Sequence, residues 1–481
     1  MLVSLGVGIT DADNIKENFE EYKERILREH EGYKQNIISE FEKFRQKVND
    51  EYAEYMKRDW TSRPIEKAKP RPDNPEPPQP IFADPKDKEE PRDLPISEIK
   101  PIDIPHPNPI PLLPTNPIEP VEPTNSFLFF GKECIFPFDK SLKFSLTDID
   151  EKTVSHAWKT LSSSKSVALI RKCIEYKEEL NLPDWGYVLF LDKLSESLYP
   201  NKPNEQVVLK LFILTQSGYK VRIARINNKL ALLIPSRQTL YDWSYVNLNG
   251  EDYYVYDREG IQRGNVKVFD QAFPKEQTFT LGFNGQPRLP VAPGDKKHFI
   301  SKKNPEIQLE LSVNKNLIDF YNEYPSHSNW EVYAKASLSE EVKSQLYPVL
   351  KNTISGKDEK TAVNMLLQFV QTAFDYKTDF EQFGEERAFF SDETFYYPYS
   401  DCEDRAILFS VLVRELLNLD VVFIQYTEHL ATAVRFNESV SGDNVTIDGA
   451  NYVVCDPTYI NSRVGMSMPV YKGAEVVVIK I

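Results

Sequence analysis

A thiol, an imidazole and a carboxylate stand at equal intervals near the end of the 481-residue chain: Cys402, His429 and Asp456, each 27 residues from the next. Cys402 follows Tyr397-Pro398-Tyr399-Ser400-Asp401, where proline ends an extended approach and Ser400-x-x-Glu403 reads as a capping box. The residues after it, Ala406-Ile407-Leu408-Phe409-Ser410-Val411-Leu412-Val413, are apolar on nearly every side, which predicts a buried helix with Cys402 in its first turn. There the helix dipole and free N–H groups favour thiolate over thiol, as a nucleophile requires. Asp401, Glu403 and Asp404 oppose this by like charge, so a positive partner is needed. His429 supplies one, at the start of a strand His429–Phe436 in which Ala431 and Ala433 share its face and leave room beside it. Asp456 ends the apolar run Tyr452–Cys455 and is placed to accept from imidazole Nδ1–H and orient the ring. Each residue alone is more often structural. Cysteine at a buried helix start is usually a small core hydrophobe, a lone strand histidine is usually hydrogen-bonded, and Asp-Pro is usually a turn. Together, in this order, they read as a Cys–His–Asp constellation for acyl transfer. Cys455 points opposite to its neighbours in an apolar strand and reads as core, while Cys134 and Cys173 carry no functional signal.

The stretches Ser400-Asp401-Cys402-Glu403-Asp404-Arg405-Ala406, Glu428-His429-Leu430-Ala431-Thr432-Ala433-Val434 and Cys455-Asp456-Pro457-Thr458-Tyr459 resemble the transglutaminase-like cysteine-protease superfamily, including its bacterial transglutaminase-like domain proteins. The resemblance covers residues 364–469. It implies an α+β, papain-like core with the nucleophile on a central helix against an antiparallel sheet. It also implies Cys402 as nucleophile, His429 as general base and Asp456 as orienter. An upstream aromatic or amide residue would complete the oxyanion hole with the Cys402 backbone N–H, and Tyr397 and Tyr399 are the candidates. The family includes peptidases, amidases, cross-linkers and inactive members. The expected activity is therefore a thiol-dependent hydrolase or acyltransferase on an amide or peptide bond. The substrate would be a protein, a peptide or a peptidoglycan-type amide. The alternative is a catalytically silent binding or scaffold protein.

The rest of the chain bounds these readings. A net charge of −15 and a pI near 5.1 argue against nucleic acid or an anionic membrane surface as partner. No run approaches the roughly 18 apolar residues of a membrane span. Four cysteines without C-x-x-C spacing exclude a disulfide scaffold, and six scattered histidines without a close pair speak against zinc. No cofactor and no metal is called for. The apolar opening Met1–Ile9 lacks a basic n-region; an ordinary N-terminus and the remnant of a signal peptide over residues 1–12 both fit, leaving cytoplasmic and exported locations open.

Four segments must position the site. Residues 1–60 contain a long helix over 11–60, with Phe19, Tyr22, Ile26, Tyr33, Ile37, Phe41, Phe44, Val48, Tyr52 and Tyr55 on one stripe expected to dock on the body. Residues 61–125 hold 19 of the 34 prolines and read as an extended linker. Residues 126–300 read as a second α+β domain, before a catalytic domain at 301–481. Strand-like runs include Val207–Ile213, Tyr219–Ile226, Lys229–Pro235, Thr278–Phe283, Val421–Gln425 and Glu475–Ile481, and helices include Glu340–Thr353, Lys360–Phe374 and Cys402–Leu417. The middle domain can be laid on the last as a degenerate copy, with Glu205 at the nucleophile position, Lys229 at the histidine and Asp257 at the acid.

Overall fold

The computed structural model describes residues 10–71, 81–84, 91–102, 109–113, 125–256 and 266–481, with side chains described from residue 22. It opens with helix α1 (Thr10–Met56), 47 residues and so about 70 Å long. Its C-terminal half docks, burying Ile38, Arg45, Asn49, Tyr52, Ala53 and Met56. Tyr22, Ile26, Tyr33, Ile37, Phe44 and Tyr55 of the aromatic stripe are exposed instead. The expected stripe thus docks only in part, through buried Tyr52 and half-buried Phe41 and Val48. Polar side chains bond inward from the docked face: Arg45 Nη2 donates to the Ser162 carbonyl at 3.3 Å, and Asn49 exchanges amide hydrogen bonds with Gln216 at 3.0 and 3.3 Å. A pattern drawn from apolar residues alone cannot see those bonds. Phe19 lies outside the described side chains.

The proline-rich segment is more than a linker. Beside its described parts, β1 (Thr61–Arg63) and β2 (Ile96–Lys100) each close one edge of a six-stranded sheet. Proline confines such strands to edges, and both are edges. Leu94 and Leu112 are buried as well.

The first sheet belongs to the middle unit. Helix α2 (Pro203–Gln216) precedes β3 (Arg222–Ile226), β4 (Lys229–Pro235), β5 (Tyr245–Leu248), β6 (Glu251–Tyr256) and β7 (Val266–Phe269). Their order across the sheet is β5-β6-β4-β3-β7-β1, antiparallel throughout. The expected strand Val207–Ile213 is thus the middle of α2. The helix is buried on every side from Val207 to Gln216, so no 3.6-residue period marks it, and its β-branched residues mimic a strand. Thr278–Phe283 forms no strand; Phe279 makes an isolated bridge to Ser236, and Gln277 just before the stretch bridges Tyr219.

The second sheet follows α3 (Glu359–Ala373) and α4 (Cys402–Leu417). Its strands are β8 (Asp420–Gln425), β9 (Leu430–Arg435), β10 (Asn444–Ile447), β11 (Ala450–Cys455) and β12 (Val476–Lys480). The order is β10-β11-β9-β8-β12-β2, antiparallel except that β2 runs parallel to β12. One continuous core joins both units, filling the space between helices and inner sheet faces. The fold is mixed α+β with curled, mainly antiparallel sheets. Among the described residues no helix is long and apolar enough to cross a membrane.

Candidate functional site

Helix α4 is held against the central hairpin β8–β9 on one side and against α3 and the helix Trp330–Ala336 on others. Every residue from Cys402 to Val413 is buried, as the apolar run requires. The N-cap is Asp401 rather than Ser400: the Asp401 N–H donates to Asp404 Oδ2 at 3.3 Å, while Ser400 Oγ accepts from Arg405 Nε at 3.2 Å. The expected capping box is shifted by one residue, and Cys402 becomes the first helical residue.

His429 closes a tight hairpin, where the Tyr426 N–H donates to the His429 carbonyl at 2.8 Å. Its ring lies beside Tyr471 and Tyr426, nearly parallel to each, with centroids 5.4 and 5.9 Å away. Nε2 meets Asp456 Oδ2 at 2.8 Å with both side chains buried. The orientation reverses the expected one. Asp456 engages Nε2, leaving buried Nδ1 without a hydrogen-bond partner and available for proton transfer. The carboxylate is fixed in turn, because Oδ1 accepts from the N–H groups of Thr458 at 2.9 Å and Tyr459 at 3.1 Å. Gln371 on α3 clamps that turn, donating to the carbonyls of Asp456 at 3.1 Å and Tyr459 at 2.9 Å.

Cys402 and His429 line one small cavity of about 20 Å³, with Trp330, Glu403, Gln425, Tyr426, Thr427, Glu428 and Leu430. That is room for about one water inside the pocket. Ala431 and Ala433 do not shape the cavity; they pack on the far face of the sheet among Leu94, Val445 and Val478. Tyr397 and Tyr399 are not among the lining residues. Tyr397 donates to Asn322 Oδ1 at 2.9 Å and stacks on Phe389, and Tyr399 pairs with Asp375 in a short parallel bridge. Trp330, Gln425 and Tyr471 were missed by sequence reasoning. Trp330 and Tyr471 come from segments without motifs, whereas Gln425 and Tyr426 lie on the turn next to His429, where inspection of the whole hairpin would have found them.

Electrostatics around the thiol are acidic. Sγ donates to Glu403 Oε2 at 3.0 Å, and Asp379, Asp401 and Asp404 are buried nearby. Burial, with Asp401 next, lifts the Glu403 carboxyl to about 7, and burial lifts Asp379 and Asp404 well above the carboxylate range. Tyr471 is raised to about 12 by burial and then by Cys402. The other cysteines are sealed: burial pushes Cys134 up to about 12 and raises Cys173 and Cys455 further. No protein-family model, curated protein or solved structure matches this chain.

Proposed function

We propose that the protein is a thiol-dependent hydrolase or acyltransferase acting on an amide or peptide bond. One observation carries the reading: a helix-N-terminal cysteine shares a cavity with a histidine that a buried aspartate holds at 2.8 Å. In the mechanism His429 Nδ1 takes the Cys402 proton as Sγ attacks the amide carbonyl carbon. Asp456 keeps Nε2–H and stabilises the imidazolium. The Cys402 backbone N–H and a side-chain donor receive the oxyanion. Trp330 and Gln425 line the cavity and carry N–H donors, which favours them over Tyr397 and Tyr399, neither of which lines it. The imidazolium then protonates the leaving amine, and water or a second amine resolves the acyl-enzyme. A papain-like core is the architecture this chemistry uses, and α4 against an antiparallel sheet suits it.

On the same reading the middle unit is a degenerate copy. Its strand order matches that of the C-terminal sheet, while Lys229 stands exposed where His429 is buried. Asp257, the third position of the copy, lies outside the described residues. A second reading, a silent scaffold, draws support from the small cavity and from the Glu403 carboxylate that holds the thiol proton. An amide-mimic thiol probe separates the two. Labelling confined to Cys402 and lost in His429→Ala supports catalysis; no preference for Cys402 over the other three cysteines leaves the scaffold.

A further inference from the structure

An 11-residue repeat runs along α1. Its first positions are Phe19, His30, Phe41 and Tyr52, its fourth are Tyr22, Tyr33, Phe44 and Tyr55, and its eighth are Ile26, Ile37 and Val48. Eleven residues make almost three whole turns, so each set stands as a nearly straight column along the helix. The first column meets the body where the helix docks, with Tyr52 buried and Phe41 half-buried. The second column does not. Tyr22, Tyr33, Phe44 and Tyr55 are 37 to 68% exposed, and Ile26 and Ile37 are exposed beside them. From Tyr22 to Tyr33 every residue is exposed, so this part of the helix stands clear of the body. The column is about 50 Å long from Tyr22 to Tyr55. An arginine lies over the ring at each end, Arg25 over Tyr22 at 5.3 Å and Arg58 over Tyr55 at 4.4 Å.

We propose that this column is a self-association surface, on which α1 of a second copy of the chain lies antiparallel. Area is the first argument. Four rings at about half exposure and two isoleucines leave on the order of 500 Å² of apolar surface per copy. Two copies would together bury on the order of 1,000 Å², which is what a specific interface needs. Apolar stripes of this size, rimmed by charge, mark interaction sites. Spacing is the second. Equal steps make the column its own complement: turned end for end, Tyr22 of one copy falls opposite Tyr55 of the other, and Tyr33 opposite Phe44, as a two-fold axis requires. Charge is the third. Residues 10–33 hold eight acids against four lysines and arginines, and residues 34–58 hold five against six. Antiparallel pairing sets the acidic half against the more basic one, whereas parallel pairing sets two acidic halves together. The 11-residue period gives the pair a slight right-handed supercoil, unlike the left-handed coil of heptads.

Sedimentation of the full chain over about 1 to 100 µM reads the assembly directly. A dimer is expected, and Tyr33→Ser combined with Phe44→Ser should weaken it at least about tenfold. Both side chains are exposed, so the fold itself should survive, with an unchanged circular dichroism spectrum. Tyr22→Ser with Tyr55→Ser is the second pair, with the same weakening expected. A monomer throughout that range overturns the proposal and leaves the column to a different protein. A dimer as tight in both double variants overturns it as well. Orientation is read by oxidation. Tyr33→Cys combined with Phe44→Cys should give a covalent dimer, because the four native cysteines are buried and the two positions on one helix stand about 16 Å apart. Tyr33→Cys alone should give none. A covalent dimer from the single variant overturns the antiparallel arrangement and spares the dimer.

Discussion

The middle and C-terminal units are the same sheet built twice with different ends. Strands β3 to β7 and β8 to β12 follow one another across their sheets in one order, and each sheet is closed by a strand from the proline-rich arm. Register agrees too: Ile223 faces Leu232 and Leu232 faces Tyr256 in one, and Phe423 faces Thr432 and Thr432 faces Cys455 in the other. The outer faces bury matching positions, Ala231, Val246, Val255 and Val268 against Ala431, Val445, Val454 and Val478. The preceding helices, α2 and α4, both lie on the central hairpin. Even the hairpins are alike, Ile226 to Lys229 and Tyr426 to His429 each enclosing two residues. What differs is the side chains where helix start and hairpin end converge. Glu205 is buried and accepts from the Leu146 N–H at 3.2 Å, and Lys229 is exposed. The difference teaches that the scaffold is indifferent to the chemistry. On the proposed reading, two or three side chains at one end of the sheet separate a reactive site from a packing module.

Replacing those side chains is the strongest way to break the comparison. Cys402→Ala and His429→Ala should each lower any amide turnover by at least about a thousandfold, while Glu205→Ala and Lys229→Ala leave iodoacetamide labelling of Cys402 within about twofold. Asp456→Ala should cost less than either, since it orients and does not react. A loss of labelling in Lys229→Ala as large as that in His429→Ala would mean that the two ends act together. Structural equivalence is tested in the helices. Leu211→Ala in α2 and Leu408→Ala in α4 both empty fully buried positions, and each should cost about 2–5 kcal/mol in chemical denaturation. A cost confined to one helix would show that the two units do not share a core. Trp330→Phe should have a smaller effect, about ten- to a hundredfold in turnover with labelling retained, if its N–H serves the oxyanion. Unchanged turnover removes it from the candidates.

How far the sequence revealed this depends on whether chemistry or burial set the pattern. Helix α4 was bounded from Cys402 to Leu417, because a capped, apolar run between loops has few alternatives. The strands β8, β9 and β11 were read within two residues of their ends. Helix α2 was misread as strand at Val207–Ile213, since a helix buried all round has no polar face to betray its period. The docked face of α1 was legible only at Phe41, Val48 and Tyr52; Arg45 and Asn49 bond inward beside them, and hydrophobicity is blind to satisfied polar groups. At the site the three chemical residues were named, and the structure brings Cys402 and His429 into one cavity with Asp456 on the imidazole. The ring's orientation was not legible, because it depends on where the Asp456 turn falls in space. Neither was Trp330, which packs against α4 from 72 residues upstream.

The smallest expected effect sharpens the comparison through charge. The middle unit pairs its half-buried acids with buried cations: Lys210 meets Asp192 at 2.5 Å, and Arg222 grips Glu276 through both Nη atoms at 2.8 and 2.6 Å. The C-terminal unit buries Asp392 and Glu393 on the short helix Ser391–Tyr396, close upstream of the nucleophile. Burial lifts Asp392 to about 6, against hydrogen bonds from Ser339, and lifts Glu393 to about 7, against Arg387. A carboxyl whose folded pKa lies above its unfolded value binds its proton more tightly in the folded state. Its contribution to stability is fully present below about pH 4.5 and is lost as pH rises through 7. Glu393→Gln removes that loss, because the amide does not titrate. Relative to the unsubstituted chain, the variant should therefore gain on the order of 2 kcal/mol between pH 5 and pH 7.5. The measurement is paired urea denaturation of both proteins at the two pH values. Asp192→Asn in the middle unit should behave oppositely, losing its ion pair with Lys210 at both pH values without a gain. A Glu393→Gln difference that is the same at pH 5 and pH 7.5 would mean that Arg387 keeps the carboxylate charged throughout, and the two units would then manage buried charge in the same way.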